Sequence, residues 1–206
     1  MNKDRLEALS DGVFAIAMTL LIIEVSVADI PRPTNADLLL ELKRLAPLVL
    51  SYFVSFAVLA TFWISHNFFY GSFTKNINRQ LVLLNMLYLS FISFIPFSAH
   101  LLGTYSHLEV AVVIYGLNVF IIGALSAAVL KYAALSKEID TAHVSSRLLS
   151  QARIRSLLTP MFTLIGILVA YWSIPIALFL YAFPIVFNSI PGTLNFVEWL
   201  FGFTLD

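Results

Sequence analysis

Residues 45–74 read LAPLVLSYFVSFAVLATFWISHNFFYGSFT, thirty positions without one Asp, Glu, Lys or Arg. A charge at the centre of a bilayer costs at least about 2.5–3.5 kcal/mol, and a spanning helix needs about 20 apolar residues. This stretch therefore reads as a membrane span. The same reading applies to residues 80–108, 110–130 and 156–197, which are equally free of those four residue types. The last gap is 42 residues long and holds two short spans, with the turn at Trp172-Ser173-Ile174-Pro175. The run Gly12 to Ile23 makes a sixth if Ser10, Asp11 and Glu24 are tolerated near its ends.

The whole composition agrees. Of 206 residues, 60% are hydrophobic and 12% charged, about half the charge of an average soluble domain. The mean hydropathy is +0.90. So much apolar surface would aggregate in water. The expected architecture is an all-α, single-domain membrane protein with spans at about 4–26, 46–72, 79–101, 109–131, 154–171 and 175–191. With no cysteine, disulfides, thiolate nucleophiles and thiolate metal sites are excluded. A net charge of zero implies no nucleic-acid partner.

Basic residues set the expected orientation, because cytoplasmic loops collect Lys and Arg near helix ends. With the N-terminus inside, Lys3, Arg5, Lys75, Arg79, Lys131, Lys137, Arg147, Arg153 and Arg155 lie in the cytoplasm, against Arg32, Lys43 and Arg44 outside. Nine against three favours both termini inside. A cleaved leader competes for the first apolar run, but residues 1–11 mix both signs and no small-residue cleavage site clearly follows beyond Ser26-Val27-Ala28.

Between the spans, Asp29 to Thr34 is a turn-rich outer loop. Asn35 to Leu45, with Leu38, Leu39, Leu42 and Leu45 on one stripe, either lies at the outer interface or extends the second span. Residues 132–152 read as a polar, partly helical inner linker with a solvated face. Leu194 to Phe203 places Phe196, Trp199, Leu200 and Phe203 at helical spacing, as an interfacial segment would.

Ionisable and amide side chains inside hydrocarbon mark a functional site or an interhelical hydrogen-bond network. Asp11 stands one turn before the first apolar run and needs donors. Arg5 can supply one only if another helix closes the geometry. Trp63 and His66, three residues apart, share a face of the second span, and Asn85 lies in the third. Catalytic signatures are missing: no His-Glu-x-x-His, no Gly-x-Ser-x-Gly, no phosphate loop, and four histidines, His66, His100, His107 and His143, without shared spacing. No enzyme activity and no cofactor are expected. A Thr-Val-Gly-Tyr-Gly filter is also missing.

Arg5-Leu6-Glu7-Ala8-Leu9-Ser10-Asp11-Gly12, followed by Val13 to Leu21, resembles the first helix of the transmembrane protein 175 family in its prokaryotic single-repeat form. That family opens helix 1 with Arg-x-x-x-Phe-Ser-Asp. Arg5, Ser10 and Asp11 match, and Leu9 replaces the Phe, which keeps apolar volume and loses an aromatic ring. Phe62-Trp63 with His66, and Leu83-Leu84-Asn85 through Ser93-Phe94-Ile95-Pro96-Phe97, extend the likeness over roughly the first hundred residues.

The resemblance implies a potassium-selective or potassium-permeable channel, a homotetramer in which four copies of helix 1 line the pore. The family's constricting isoleucine falls on Ile16, its following pore positions on Leu20 and Ile23, and the threonine near the filter on Thr19. Potassium would be the permeant ion, with no bound metal, and the location a bacterial plasma membrane, in contact with lipid. Arg5, Ser10, Asp11, Trp63, His66 and Asn85 would hold helix 1 in register. Independently, at about 100° per residue Ile16, Leu20 and Ile23 fall within about 60° of one another, with Thr19 on the flank. Such a stripe is also how an ordinary helix packing face reads. The rival reading is a proton-coupled secondary transporter that titrates Asp11 or His66, although internal repeats and broken helices are not evident.

Overall fold

The computed structural model describes residues 2–31, 34–190 and 192–193, and the described residues contain helices and no strand. Arg32 and the segment Leu194 to Phe203 lie outside them. Seven α-helices follow in order: α1 (Lys3–Ile23), α2 (Asn35–Phe68), α3 (Arg79–Ser93), α4 (Ile95–Thr104), α5 (Glu109–Leu135), α6 (Ser146–Val169) and α7 (Ile174–Ser189). α3 and α4 form one broken span, so the helices make six crossings. Five of these are long and apolar enough to cross a membrane, and α7 is a shorter apolar helix. The chain is an integral membrane protein.

Local chemistry sets the helix ends. Asn2 caps α1 by accepting from the Asp4 N–H. Thr34 and Asp37 form a capping box on α2, each side chain accepting from the other's backbone N–H. Asn78 and Ser145 cap α3 and α6, their side chains accepting from the Leu81 and Leu148 N–H groups. α2 begins eleven residues before the expected span at 46, because this box starts the helix well before the apolar run. Asn35 to Leu45 is thus continuous with the second span. Of its leucine stripe, only Leu45 is buried.

Two irregularities shape the bundle. After Phe68 the backbone widens into a π-helical turn, Phe69–Phe73, which buries Phe69, Tyr70 and Phe73. The third span breaks at Phe94 because Pro96 has no N–H for the Ile92 carbonyl and its ring would collide with it. The Phe94 N–H turns instead to Phe91 O at 3.2 Å.

α1 packs on α2, α3 and α4, and α5 packs on α3, α4, α6 and α7. Where α5 meets α6 and α7, glycine permits the approach. A Cβ on Gly166 would lie 2.5 Å from Tyr181 Cε1, and one on Gly116 would collide with the Tyr181 phenol. The Tyr181 hydroxyl donates to Val112 O at 3.3 Å. Close packing of a ring against glycine replaces the hydrophobic drive that lipid does not provide.

The linker at 132–152 keeps the solvated face expected of it and is also tied to its neighbours. Asn76 donates to Glu138 O at 2.7 Å, Asp140 N–H donates to Asn76 Oδ1 at 2.8 Å, and Asn78 Nδ2 reaches Tyr132 Oη at 2.7 Å. His143 Nε2 meets Ser72 O at 2.9 Å, and the Lys3 ammonium meets Thr74 O at 2.9 Å. The loops at this end of the bundle are thereby tied together and to the start of α1. The linker's polarity serves these cross-loop bonds, a use that hydropathy alone does not distinguish from solvation.

Candidate pore-lining helix

α1 has two unlike faces. Leu6, Ser10, Phe14, Ala17 and Leu21 are buried against the rest of the chain. Ile16, Leu20 and Ile23 are 60%, 42% and 68% exposed. Thr19 is exposed with them, and its hydroxyl lies 3.0 Å from Ala15 O and 2.9 Å from Ile16 O. A hydroxyl has one hydrogen, which goes back to the helix and leaves the oxygen lone pairs available on the open side. Around Gly12 there is open space.

A chain of hydrogen bonds holds the buried face. Asn85 Nδ2 donates to Ser10 Oγ at 3.1 Å, and Ser10 Oγ donates to Leu6 O at 2.9 Å. Since the Asn85 amide nitrogen faces Ser10, its oxygen faces His66, whose Nε2 must carry the proton and donate across 2.9 Å. Ser10, Asn85 and His66 are all buried. Phe14 packs edge-on to the His66 ring, with centroids 5.8 Å apart. A second tie is nearer the surface, where the Trp63 indole N–H donates to Asp11 Oδ1 at 2.9 Å. Five of the six residues expected to hold the first helix therefore meet, joining α1, α2 and α3.

Arg5 does not join them. It is exposed and makes no hydrogen bond or ion pair among the described residues. Six positions before Asp11 it lies nearly two turns away, and Trp63 supplies the donor that Asp11 needs. Trp63 and His66 share a helix face as expected, but their hydrogen bonds reach α1 by different routes, that of Trp63 directly and that of His66 through Asn85.

Some contributors carried no signal beyond being aromatic or polar in a span. Tyr70 and Tyr88 flank His66, with ring centroids 4.6 Å and 5.8 Å away. Asn118 donates to Ser98 Oγ at 3.1 Å and Ser55 donates to Tyr115 Oη at 3.1 Å, joining α5 to α4 and α2. Among the described residues, no group of three or more His, Asp or Glu could hold a metal ion.

Comparison with known proteins bears on the same half of the chain. Residues 5–96 match the sequence profile of the family described as endosomal/lysosomal potassium channel TMEM175. A Streptomyces collinus protein named as a potassium channel is 36% identical over 119 residues, covering 54% of this chain and 56% of that protein. The chicken endosomal/lysosomal proton channel TMEM175 is 35% identical over 119 residues, or 53% of this chain and 24% of that protein. The chain thus spans little more than half of one of these relatives and a quarter of the other. In fold it is similar to the crystal structure of a lysosomal potassium-selective channel TMEM175 homolog from Chamaesiphon minutus, with a TM-score of 0.79, 24% identity, and coverage of 91% of this chain and 96% of that one. The matched segment contains Arg5, Ser10, Asp11, Trp63, His66 and Asn85, and over that segment the chain is similar to the TMEM175 family and to prokaryotic proteins named as potassium channels.

Proposed function

We propose that the chain is one subunit of a potassium-permeable channel, a homotetramer in which the open face of α1 lines the pore. The carrying observation is the asymmetry of α1: one face is locked by Ser10, Asn85, His66 and the Trp63–Asp11 bond, while Ile16, Leu20 and Ile23 lie exposed among the described residues. The bacterial relatives named as potassium channels support the choice of ion. Potassium is here the permeant ion and no cofactor takes part. The excess of basic residues at the inner loops supports cytoplasmic termini in a bacterial plasma membrane.

Four Ile16 side chains would form an apolar ring that resists wetting and gates the path, backed by Leu20 and Ile23. An ion crossing the ring sheds part of its water. Potassium holds that shell less tightly than sodium, so the ring favours potassium modestly. Thr19 oxygens, with lone pairs free on the open side, offer partial replacement for the lost water.

The test is flux in proteoliposomes. Ile16→Asn should hydrate the ring, raise potassium flux about tenfold and bring the potassium-to-sodium ratio toward one, about 1.4 kcal/mol off the barrier. Unchanged flux and selectivity would remove Ile16 from the pore. Strict coupling of flux to protons would instead favour a transporter acting through Asp11 or His66. The hydrogen bonds that engage both residues argue for a holding role.

A further inference from the structure

Apart from the open face of α1, the end of α2 and its π-helical turn enclose, with α3, α5, α6 and α7, a cavity of about 230 Å³. Aromatic groups dominate one side. The Tyr88 ring lies 13° from parallel to the His66 ring, and Tyr70 packs on His66 at 4.6 Å. Arg155 of α6 and Asn188 of α7 also line it, and the described lining residues include no Asp or Glu. The Arg155 guanidinium donates to Asn188 O at 3.3 Å and Thr193 Oγ1 at 3.1 Å, both neutral acceptors. These contacts use two of its five N–H donors. No carboxylate among the described residues pairs with it.

Three polar atoms on lining side chains have no hydrogen-bond partner among the described residues: His66 Nδ1, Tyr70 Oη and Asn188 Oδ1. His66 is 7% exposed and Tyr70 fully buried. Unpartnered buried polar atoms are uncommon, and three on the lining of one cavity are a reason to look for a ligand. The neutral His66 ring, donating from Nε2, presents Nδ1 as an acceptor, as does Asn188 Oδ1, whereas Tyr70 and Arg155 offer donors. Flat aromatic walls with a few polar groups are the ordinary make-up of a small-molecule site.

We propose that this cavity binds a small hydroxylated aromatic carboxylate, its ring against His66, Tyr70 and Tyr88. The carboxylate supplies the anion that Arg155 lacks and the acceptor that Tyr70 lacks, and the hydroxyl supplies a donor to His66 Nδ1 or Asn188 Oδ1. Because His66 donates onward to Asn85, and Asn85 to Ser10 of α1, the occupant adjoins the chain that holds the helix assigned above to the pore. Binding itself does not rest on that assignment.

The full chain in neutral detergent micelles would be titrated with 6-hydroxy-2-naphthoate, reading heat and probe fluorescence. The expected result is saturation at one probe per chain, with affinity at least about tenfold weaker for the matching carboxamide and for Arg155→Gln. Ala152→Phe should abolish binding by filling the cavity, and Ser126→Leu does the same from α5 if the first variant does not fold. No saturable binding, equal affinity for acid and carboxamide, or binding that survives cavity filling would overturn the proposal. A protein that binds the probe as expected yet conducts no ions sinks the channel reading and leaves this site standing.

Discussion

α1 and α6 both present a bare face, and the two faces differ in kind. On α6 the exposed positions past Arg153 are Leu157, Met161, Leu164, Ile165 and Leu168, an unbroken apolar strip. On α1 the exposed positions include Arg5, Asp11, Gly12 and Thr19 among Leu9, Ile16, Leu20 and Ile23. Lipid tails satisfy the first arrangement fully. They offer nothing to a carboxylate, a hydroxyl or the gap beside a glycine. Bare apolar surface is therefore not informative by itself in a membrane protein. Polar atoms and missing side chains on that surface separate a face meant for lipid from one meant for protein or water.

Cross-linking would break this comparison most directly. The chain has no cysteine, so a single introduced thiol is the only one present. Ile16→Cys should cross-link nearly completely to a two-chain band with a short bis-maleimide, each chain having one thiol to give, while Leu164→Cys stays monomeric on a denaturing gel. Equal behaviour of the two would erase the distinction between the faces. Next in size is the hydrogen-bond chain behind α1. Asn85→Leu removes partners from Ser10 and His66 together and should lower stability by about 1–3 kcal/mol, read as a lower midpoint for thermal loss of the folded protein. Trp63→Phe keeps the ring and removes only the donor to Asp11, at a partly exposed site, so about 1 kcal/mol is expected by the same measurement. The smallest effect belongs to the lipid side. Leu164→Ala should change thermal stability by less than about 0.5 kcal/mol, since no well-packed contact is lost, and a larger loss would mean that a protein partner covers α6.

Much of the fold was legible from where charges are missing. The turn expected at 172–175 overlaps the observed one at 170–173, with Ile174 and Pro175 already opening α7, and the third crossing, 79–104, fills most of the gap 80–108. Helix ends were less legible. The capping box at Thr34 and the cap at Ser145 start α2 and α6 well before their apolar stretches, and hydropathy is silent about polar helix that projects from a membrane. Pro96 was visible as a residue, but its effect depends on the carbonyl of Ile92, so a break at Phe94 needed the backbone. At the site, the participation of Ser10, Asp11, Trp63, His66 and Asn85 could be inferred because polar groups in hydrocarbon need partners. The exclusion of Arg5 could not, since Asp11 has its donor 52 residues away.

By itself the sequence determined that the chain lives in a bilayer and which segments cross it, because each misplaced charge carries a penalty of a few kcal/mol that no neighbour cancels cheaply. It also marked one face of α1 as a branched apolar stripe, since helical periodicity is a local property. Only the tertiary structure decided which polar group meets which. The Asn85 amide joins Ser10, 75 positions earlier, to His66, 19 positions earlier. No local period encodes such separations, because they depend on how α1, α2 and α3 stack. The same stacking leaves Ile16, Leu20 and Ile23 exposed among the described residues, while α5, α6 and α7 close on one another through Gly116 and Gly166.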